Sequence, residues 1–510
     1  WYAMANRNPA TYDIEIEDLG EGWIAVGQGE PGADIKDGKT NYKTFSMKMP
    51  AIYWSLTVLK AKKVSETIDG RELIMWSPRV PEARMALQSK LYAPIIALFD
   101  KSFAKFPFTR YGALDSPSYG GGALEAYSYA TYGGGLPDED AHEPSHTWFG
   151  GILPNTYLKS FWNESFAVWC QDFYQRNVQI GNNLDRQEAF STVCMPGEEY
   201  NQAPLMKSGA AIGPAAGALG YGKGALVLNM LEQLIGTQNM VECVRDWFKN
   251  HPVGEPAEWE DFEKVVLRRM SGHKLQDFFD DWFRRPGFAN VDLVEGSVAN
   301  GTFKGRLRWN GPKFRMPLEI WFRNSGNGDM RRNLDTLDCD AEGRFSIPLG
   351  GFRPDRVYLD PRHRALRTGD EPTFGSFDEG TRRLQVVRDA ARPDYMERYQ
   401  GSSPEVTDPA GKFLIGHPST MPILKELCLK AGFGVNGDTL IYQGLTVNLK
   451  KSAAVAVIDL GGGKKCAIAI GTCKMRPNIG HAYQGVVDDL GRLLKGKTGF
   501  VTNAQPLMLK

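Results

Sequence analysis

The sequence predicts a multidomain α+β protein. Its parts, in order, are a β-domain remnant, a mostly helical segment, a β-sandwich and a small C-terminal α/β module. Three observations predict this. At 510 residues the chain is too long for one hydrophobic core. The period of its apolar residues changes twice, to helical spacing near residue 82 and back to strand-like runs near residue 291. A polar, charged, proline-containing stretch then sets off a last segment that mixes strands and helices.

In residues 1–80 the runs "WIAVGQG", "KTFSMKMP" and "ELIMWSP" are short and bounded by Gly, Pro and Asp, as strands are, and they read as the C-terminal part of a β-domain. Residues 81–291 open on "EARMALQSKLYAPIIALFDKSFAKF" and continue with "GKGALVLNMLEQLIG" and "HKLQDFFDDWFRRPG", all at helical spacing. In 292–370, "MPLEIWFRN" alternates Leu318, Ile320 and Phe322 with Glu319, Trp321 and Arg323, which predicts a half-buried strand of a sandwich. Residues 371–410 read as a linker. Residues 411–510 predict strands at "KFLIGHP", "AAVAVIDL" and "CAIAIG", with helices at "MPILKELCLKAG" and "GVVDDLGRLLKG". "DLGGGKKC" lacks the spacing of a phosphate loop and reads as a hairpin turn.

Composition narrows the function. Apolar residues make up 42% and charged residues 24%, and the 60 basic and 60 acidic side chains cancel. No basic stripe speaks for nucleic acid, and no apolar run is long enough for a membrane helix. Seven cysteines without a C-x-x-C pair argue against a disulfide-stapled fold and leave room for one isolated bridge. The chain opens on Trp1 without a signal-peptide pattern, so a processed or truncated N-terminus is expected and the compartment stays open, export included.

The chemistry concentrates in "DEDAHEPSHTWFGG", residues 138–151. On a helix, residues four apart share a face, so His142 and His146 can aim their imidazoles at one ion. Glu143 lies beside that face, within reach of a metal-bound water. Two surface histidines at a polar helix end are the bland alternative. Pro144 interrupts the pattern, but a first-turn proline removes no intrahelical hydrogen bond. With Asp138 and Asp140 as N-cap candidates after "GGGLP", the helix is expected to start near Asp140. The third ligand is expected at Glu164, an acidic residue set among Phe161, Trp162, Phe166 and Trp169, where a buried carboxylate needs a partner or a metal.

"HEPSHTWFGG" followed by "FWNESFA" resembles the motif of the gluzincin zinc aminopeptidases, the family of aminopeptidase N and leukotriene hydrolase. "FAKFPFTRYGALDSP", "GGALEA" and "GYGKGALVLNMLEQLIG" resemble further family segments in the family's order. Together they cover about residues 1–370. The chain departs at Leu124 and Ala126, where the family carries Met and Asn, and in a shorter interval between His146 and Glu164.

The resemblance implies a thermolysin-like catalytic domain and one zinc ion held by His142, His146 and Glu164. Glu143 would act as general base toward a zinc-activated water, and Tyr221 would support the oxyanion. Glu125 would grip the free amine of a peptide substrate, with Gly122 and Ala123 along its backbone. Glu125 could instead cap a turn, and Tyr221 could be a packing residue beside "GKGA". The expected activity is hydrolysis of amino-terminal peptide bonds. The alternatives are another hydrolase on the same site, such as an endopeptidase or epoxide hydrolase, and a catalytically silent scaffold.

Overall fold

The strand-like runs of the first eighty residues are strands in the computed structural model. The structure describes residues 7–509 except 18, 33–34, 38–39, 180–197, 325–327, 362–363, 369–372, 376, 378–380, 382, 404, 462–463, 475–476, 478–481, 491–492 and 502–505. The chain forms two compact units. One comprises Trp1–Gln171, Thr192–Asp370 and Ala504–Lys510; the other comprises Asp172–Ser191 and Glu371–Asn503.

In the first unit, Thr40–Ala51 pairs with Ala10–Glu17, Glu30–Pro31 and Ile35–Asp37 in a four-stranded antiparallel sheet. A second sheet of five strands lies in the order Ala123–Glu125, Tyr129–Tyr132, Arg110–Asp115, Arg71–Ser77 and Lys62–Ile68. Its three central strands run parallel and the outer two are antiparallel, so Ala123–Glu125 forms one edge. Helix α1 (Glu82–Ser102) connects two of the parallel strands and buries Met85, Leu91, Ile95, Ile96 and Phe99.

Two short helices follow, α2 (His142–Ser145) and α3 (Trp162–Tyr174). Most of α3 is buried because its aromatic residues meet others from every side. Phe166 stacks on Phe149 at 4.5 Å and meets Trp247, Trp259 and Phe262 at 5.6, 5.7 and 5.2 Å. Truncating such a ring to Ala would cost about 3–5 kcal/mol. This cluster is what holds α3 in place.

Beyond the helices, Val291–Ala299, Thr302–Trp309 and Arg344–Pro348 form one antiparallel sheet. Gly328–Asp335, Pro317–Asn324, Arg356–Leu359 and Leu507–Met508 form another. Pro317–Asn324 is not half-buried as its alternation predicts. Glu319 and Trp321 are 1% and 4% exposed, so both faces are covered there. Arg323 and Arg331 lie over the Trp321 ring at 5.0 and 4.6 Å and supply part of that cover.

The second unit is built on a mixed seven-stranded sheet. Its order is Thr373–Gly375, Leu493–Val501, Ala482–Asp488, Ser452–Gly461, Lys464–Gly471, Lys412–Ile415 and Gln385–Arg388. Residues 371–410, expected as a linker, therefore supply both edge strands, which are too short to show an alternation of their own. The last residues, expected in the C-terminal module, pair instead with Arg356–Leu359 of the first unit.

The helix expected at "GVVDDLGRLLKG" is two strands. Gly485, Val486 and Val487 pair with Ser452–Gly461, a partner available only in the tertiary fold. Ser452–Gly461 and Lys464–Gly471 form a hairpin at "DLGGGKKC". Among the described residues Cys170, Cys243, Cys339, Cys428 and Cys466 form no disulfide, and Cys194 lies outside the described residues. His417 is buried, its Nε2 on the Gly437 carbonyl at 2.9 Å, whereas His481 lies outside the described residues. Among the described residues no helix is long and apolar enough to cross a membrane.

Candidate active site

The helix that carries the two histidines is a single turn. It starts at His142, two residues after Asp140, and ends at Ser145. Thereafter the chain turns by tighter contacts, with His146 N donating to Glu143 O and Trp148 N to Ser145 O. Pro144 is thus the third helical residue, among the amides that no helix pairs internally. Asp140 still serves this end, because its Oδ1 accepts from His142 N at 2.7 Å.

The two imidazoles lie 4.9 Å apart, centroid to centroid, and both present Nε2 to one carboxylate oxygen. Glu164 Oε2 is 3.2 Å from His142 Nε2 and 3.4 Å from His146 Nε2. Glu164 comes from the first turn of α3, where the aromatic cluster fixes its helix. On the far side of each ring an acceptor waits for the Nδ1 proton. His142 Nδ1 faces Gln171 Oε1 at 3.2 Å, and His146 Nδ1 faces the Phe149 carbonyl at 3.1 Å. With Nδ1 so engaged, each Nε2 is the ring atom turned to the shared point, and it would bind a metal on giving up its proton. These three side chains could hold a metal ion.

A second group draws in Glu125 and Glu143, whose carboxylates lie with a His146 ring nitrogen inside 4.8 Å of one another. All three are buried. Burial pushes the Glu143 carboxyl up to about 8, against the opposing pull of His146 and His142. Its Oε2 is buried with no hydrogen-bond partner among the described residues. Burial should lower both imidazoles. The carboxylates outweigh it, Glu164 chiefly for His142 and Glu125 with Glu164 for His146, and both rings are raised. A pocket this negative favours a cation.

Glu125 sits on the edge strand, preceded by Gly120, Gly121 and Gly122 with φ of 85°, 131° and 75°, a left-handed run that residues with a Cβ seldom adopt. Gly122 O accepts from Gly133 N, and Ala123 lies on the strand itself. Tyr221 lies in a π-helical segment, Ala218–Gly224. Glycine lets that segment approach α3. A Cβ on Gly220 would stand 2.6 Å from Phe161 Cβ, and one on Gly224 would overlap Ser165. The close approach brings the Tyr221 ring parallel to His142, and burial and Glu164 raise its hydroxyl.

Sequence reasoning missed Tyr157. Its backbone is left-handed, φ 60°, and its hydroxyl donates to Glu125 Oε1 while accepting from Asn163 Nδ2 at 2.6 Å. The same oxygen is 3.4 Å from Glu164 Oε1, so Tyr157 stands between the two carboxylates. Its position seven residues before Glu164 was the one available signal, and no helical or strand period makes that spacing a contact.

Residues 140–282 match the family model described as the peptidase family M1 domain. This match supports the resemblance to the gluzincin aminopeptidases. The M1 domain thus contains both histidines, Glu143, Glu164 and Tyr221, whereas Glu125 precedes the matched region.

Relatives of the chain include the Tricorn protease-interacting factor F2 of Thermoplasma volcanium, 21% identical over 62% of this chain and 40% of that protein. Aminopeptidase 2, mitochondrial, of Saccharomyces cerevisiae is 23% identical over 53% of this chain and 31% of its own length. The chain therefore spans well under two thirds of the length of these relatives. A crystal structure of Legionella pneumophila aminopeptidase A in complex with aspartic acid shares the fold, with a TM-score of 0.58 at 17% identity over 74% of this chain and 46% of that one.

Proposed function

We propose that this chain is a zinc aminopeptidase. The observation that carries the reading is the convergence of His142 Nε2 and His146 Nε2 on Glu164 Oε2, with both Nδ1 atoms anchored behind. Two imidazoles and one carboxylate are the donor set of a catalytic zinc site that leaves a position open. Zinc held there would supply the Lewis acidity that brings a water's pKa toward neutrality.

Glu143 Oε2, buried and without a hydrogen-bond partner among the described residues, is suited to accept the water's proton and to return it to the leaving amine. The Tyr221 hydroxyl would donate to the oxyanion, since a group 42% exposed can reach substrate. Glu125 would hold the substrate's α-ammonium, a cation suited to a buried carboxylate beside the reacting groups. The open edge of the Ala123–Glu125 strand suits the backbone of an extended peptide, with Gly122 and Ala123 as its partners.

Metal analysis tests the proposal. The full chain is expected to carry about one zinc, as a three-ligand catalytic site does. It should hydrolyse aminoacyl substrates and lose that activity on chelation. Glu143→Gln should keep the metal and lose roughly 10²–10⁴ in kcat. A Glu164→Ala variant with full zinc occupancy would refute the ligand set.

A further inference from the structure

A one-turn helix cannot set its own position. Nucleating a helix fixes several residues for one hydrogen bond, so a four-residue turn exists only where the surrounding fold imposes it. Yet α2 bears His142 and Glu143, and His146 follows directly. On the C-terminal side the anchors are plain: Gly151 N donates to His146 O, and the His146 ring is tied to the Phe149 carbonyl. The N-terminal side is reached through 133–141, which begins Gly-Gly-Gly-Leu-Pro and has no helix or strand of its own.

One face of α1 supplies the missing support. Arg84, Gln88 and Tyr92 are spaced by four and line that face. Arg84 pairs with Asp138. Gln88 Nε2 donates to the Leu136 and Pro137 carbonyls at 3.2 and 2.8 Å. The Tyr92 hydroxyl meets that of Tyr132 at 3.2 Å, and Tyr132 donates to Asp140 Oδ2 at 2.7 Å. Because Tyr132 spends its proton on Asp140, Tyr92 is the donor to Tyr132. The other Asp140 oxygen accepts from His142 N. Both tyrosines are buried, at 1% and 5% exposure, so water competes little for these bonds.

We infer that Asp140 is a positioning residue for the metal site: clamped by Tyr132 and Tyr92, it fixes the backbone from which His142 and Glu143 project. The inference rests on the zinc reading above. Here a side-chain clamp stands in for the helical turns that would otherwise precede a His-Glu-x-x-His pair.

Zinc titration of the full chain against a competing chelator tests it, with thermal unfolding of the metal-free protein in parallel. Asp140→Ala should weaken zinc affinity about 10–100-fold, the usual consequence of losing a group that orients a ligand. Asp140→Asn keeps a carbonyl oxygen for His142 N, and Tyr132 can rotate to accept from its amide, so affinity should return close to the parent's. Tyr132→Phe leaves Asp140 in place but unclamped and should fall between the two, which keeps the test open if Asp140→Ala does not fold. Unchanged affinity in both Asp140→Ala and Tyr132→Phe would overturn the inference. An Asn variant as weak as the Ala variant would also overturn it, because the effect would then be one of charge. A parent that binds no zinc would refute the zinc reading itself.

Discussion

The ring of Tyr221 lies parallel to the imidazole of His142, with centroids 5.8 Å apart and planes 6° from parallel. A phenylalanine would keep this stacking and lose only the hydroxyl. Tyr221→Phe should therefore bind zinc like the parent, with little change in KM, and lose about 10²–10³ in kcat, as removal of an oxyanion donor does. Steady-state kinetics beside metal analysis would check this. An unchanged kcat would make Tyr221 a packing residue.

The Tyr157 hydroxyl donates to Glu125, so the group proposed to hold the substrate amine already has one partner. Glu125→Gln should cost about ten- to a hundredfold in kcat/KM on substrates with a free amine, the worth of a charge-assisted hydrogen bond. N-acetylated substrates should be poor for the parent and no worse for the variant. Tyr157→Phe should move KM for free-amine substrates and leave blocked ones alone. Equal cleavage of blocked and free peptides by the parent would point to an endopeptidase or another hydrolase on this site.

Pro144 should prove neutral. Its nitrogen lies where no intrahelical acceptor exists, and its carbonyl accepts from Thr147 N. Pro144→Ala should leave zinc affinity and turnover as they are. A weaker site in that variant would mean that the pyrrolidine ring itself holds the turn.

Lys223 is fully buried, and its Nζ has the Arg285 carbonyl at 3.4 Å. Burial, with Arg285 adding to it, depresses the ammonium from 10.5 to about 7. The unfolded chain binds this proton below 10.5 and the folded chain only below about 7. The group therefore lowers stability increasingly as pH falls from 10.5 to 7, by an amount that levels off below. Lys223→Met should stabilise the protein by a few kcal/mol at pH 7 and by much less at pH 9.5. Urea unfolding at the two pH values would measure it, and a difference that does not vary with pH would contradict the account.

Some of this was decided by the chain alone. Two histidines four apart, a glutamate between them and a proline near the start of the turn define a local geometry, because backbone spacing sets which side chains share a face. The texture changes near residues 82 and 291 are likewise local, since each element must match its apolar period to the face it buries. Only the tertiary structure decided what meets that turn. Glu164 reaches the imidazoles because an aromatic cluster seats α3, and Tyr157 reaches Glu125 through a loop with no period to read. Asp140 was legible as a candidate cap, but its clamp on α1 was not, for the tyrosines lie 48 and 8 residues away in sequence. At "GVVDDLGRLLKG" a helical spacing lost to a strand partner from Ser452–Gly461, because a ladder of hydrogen bonds to a distant segment outweighs a local preference.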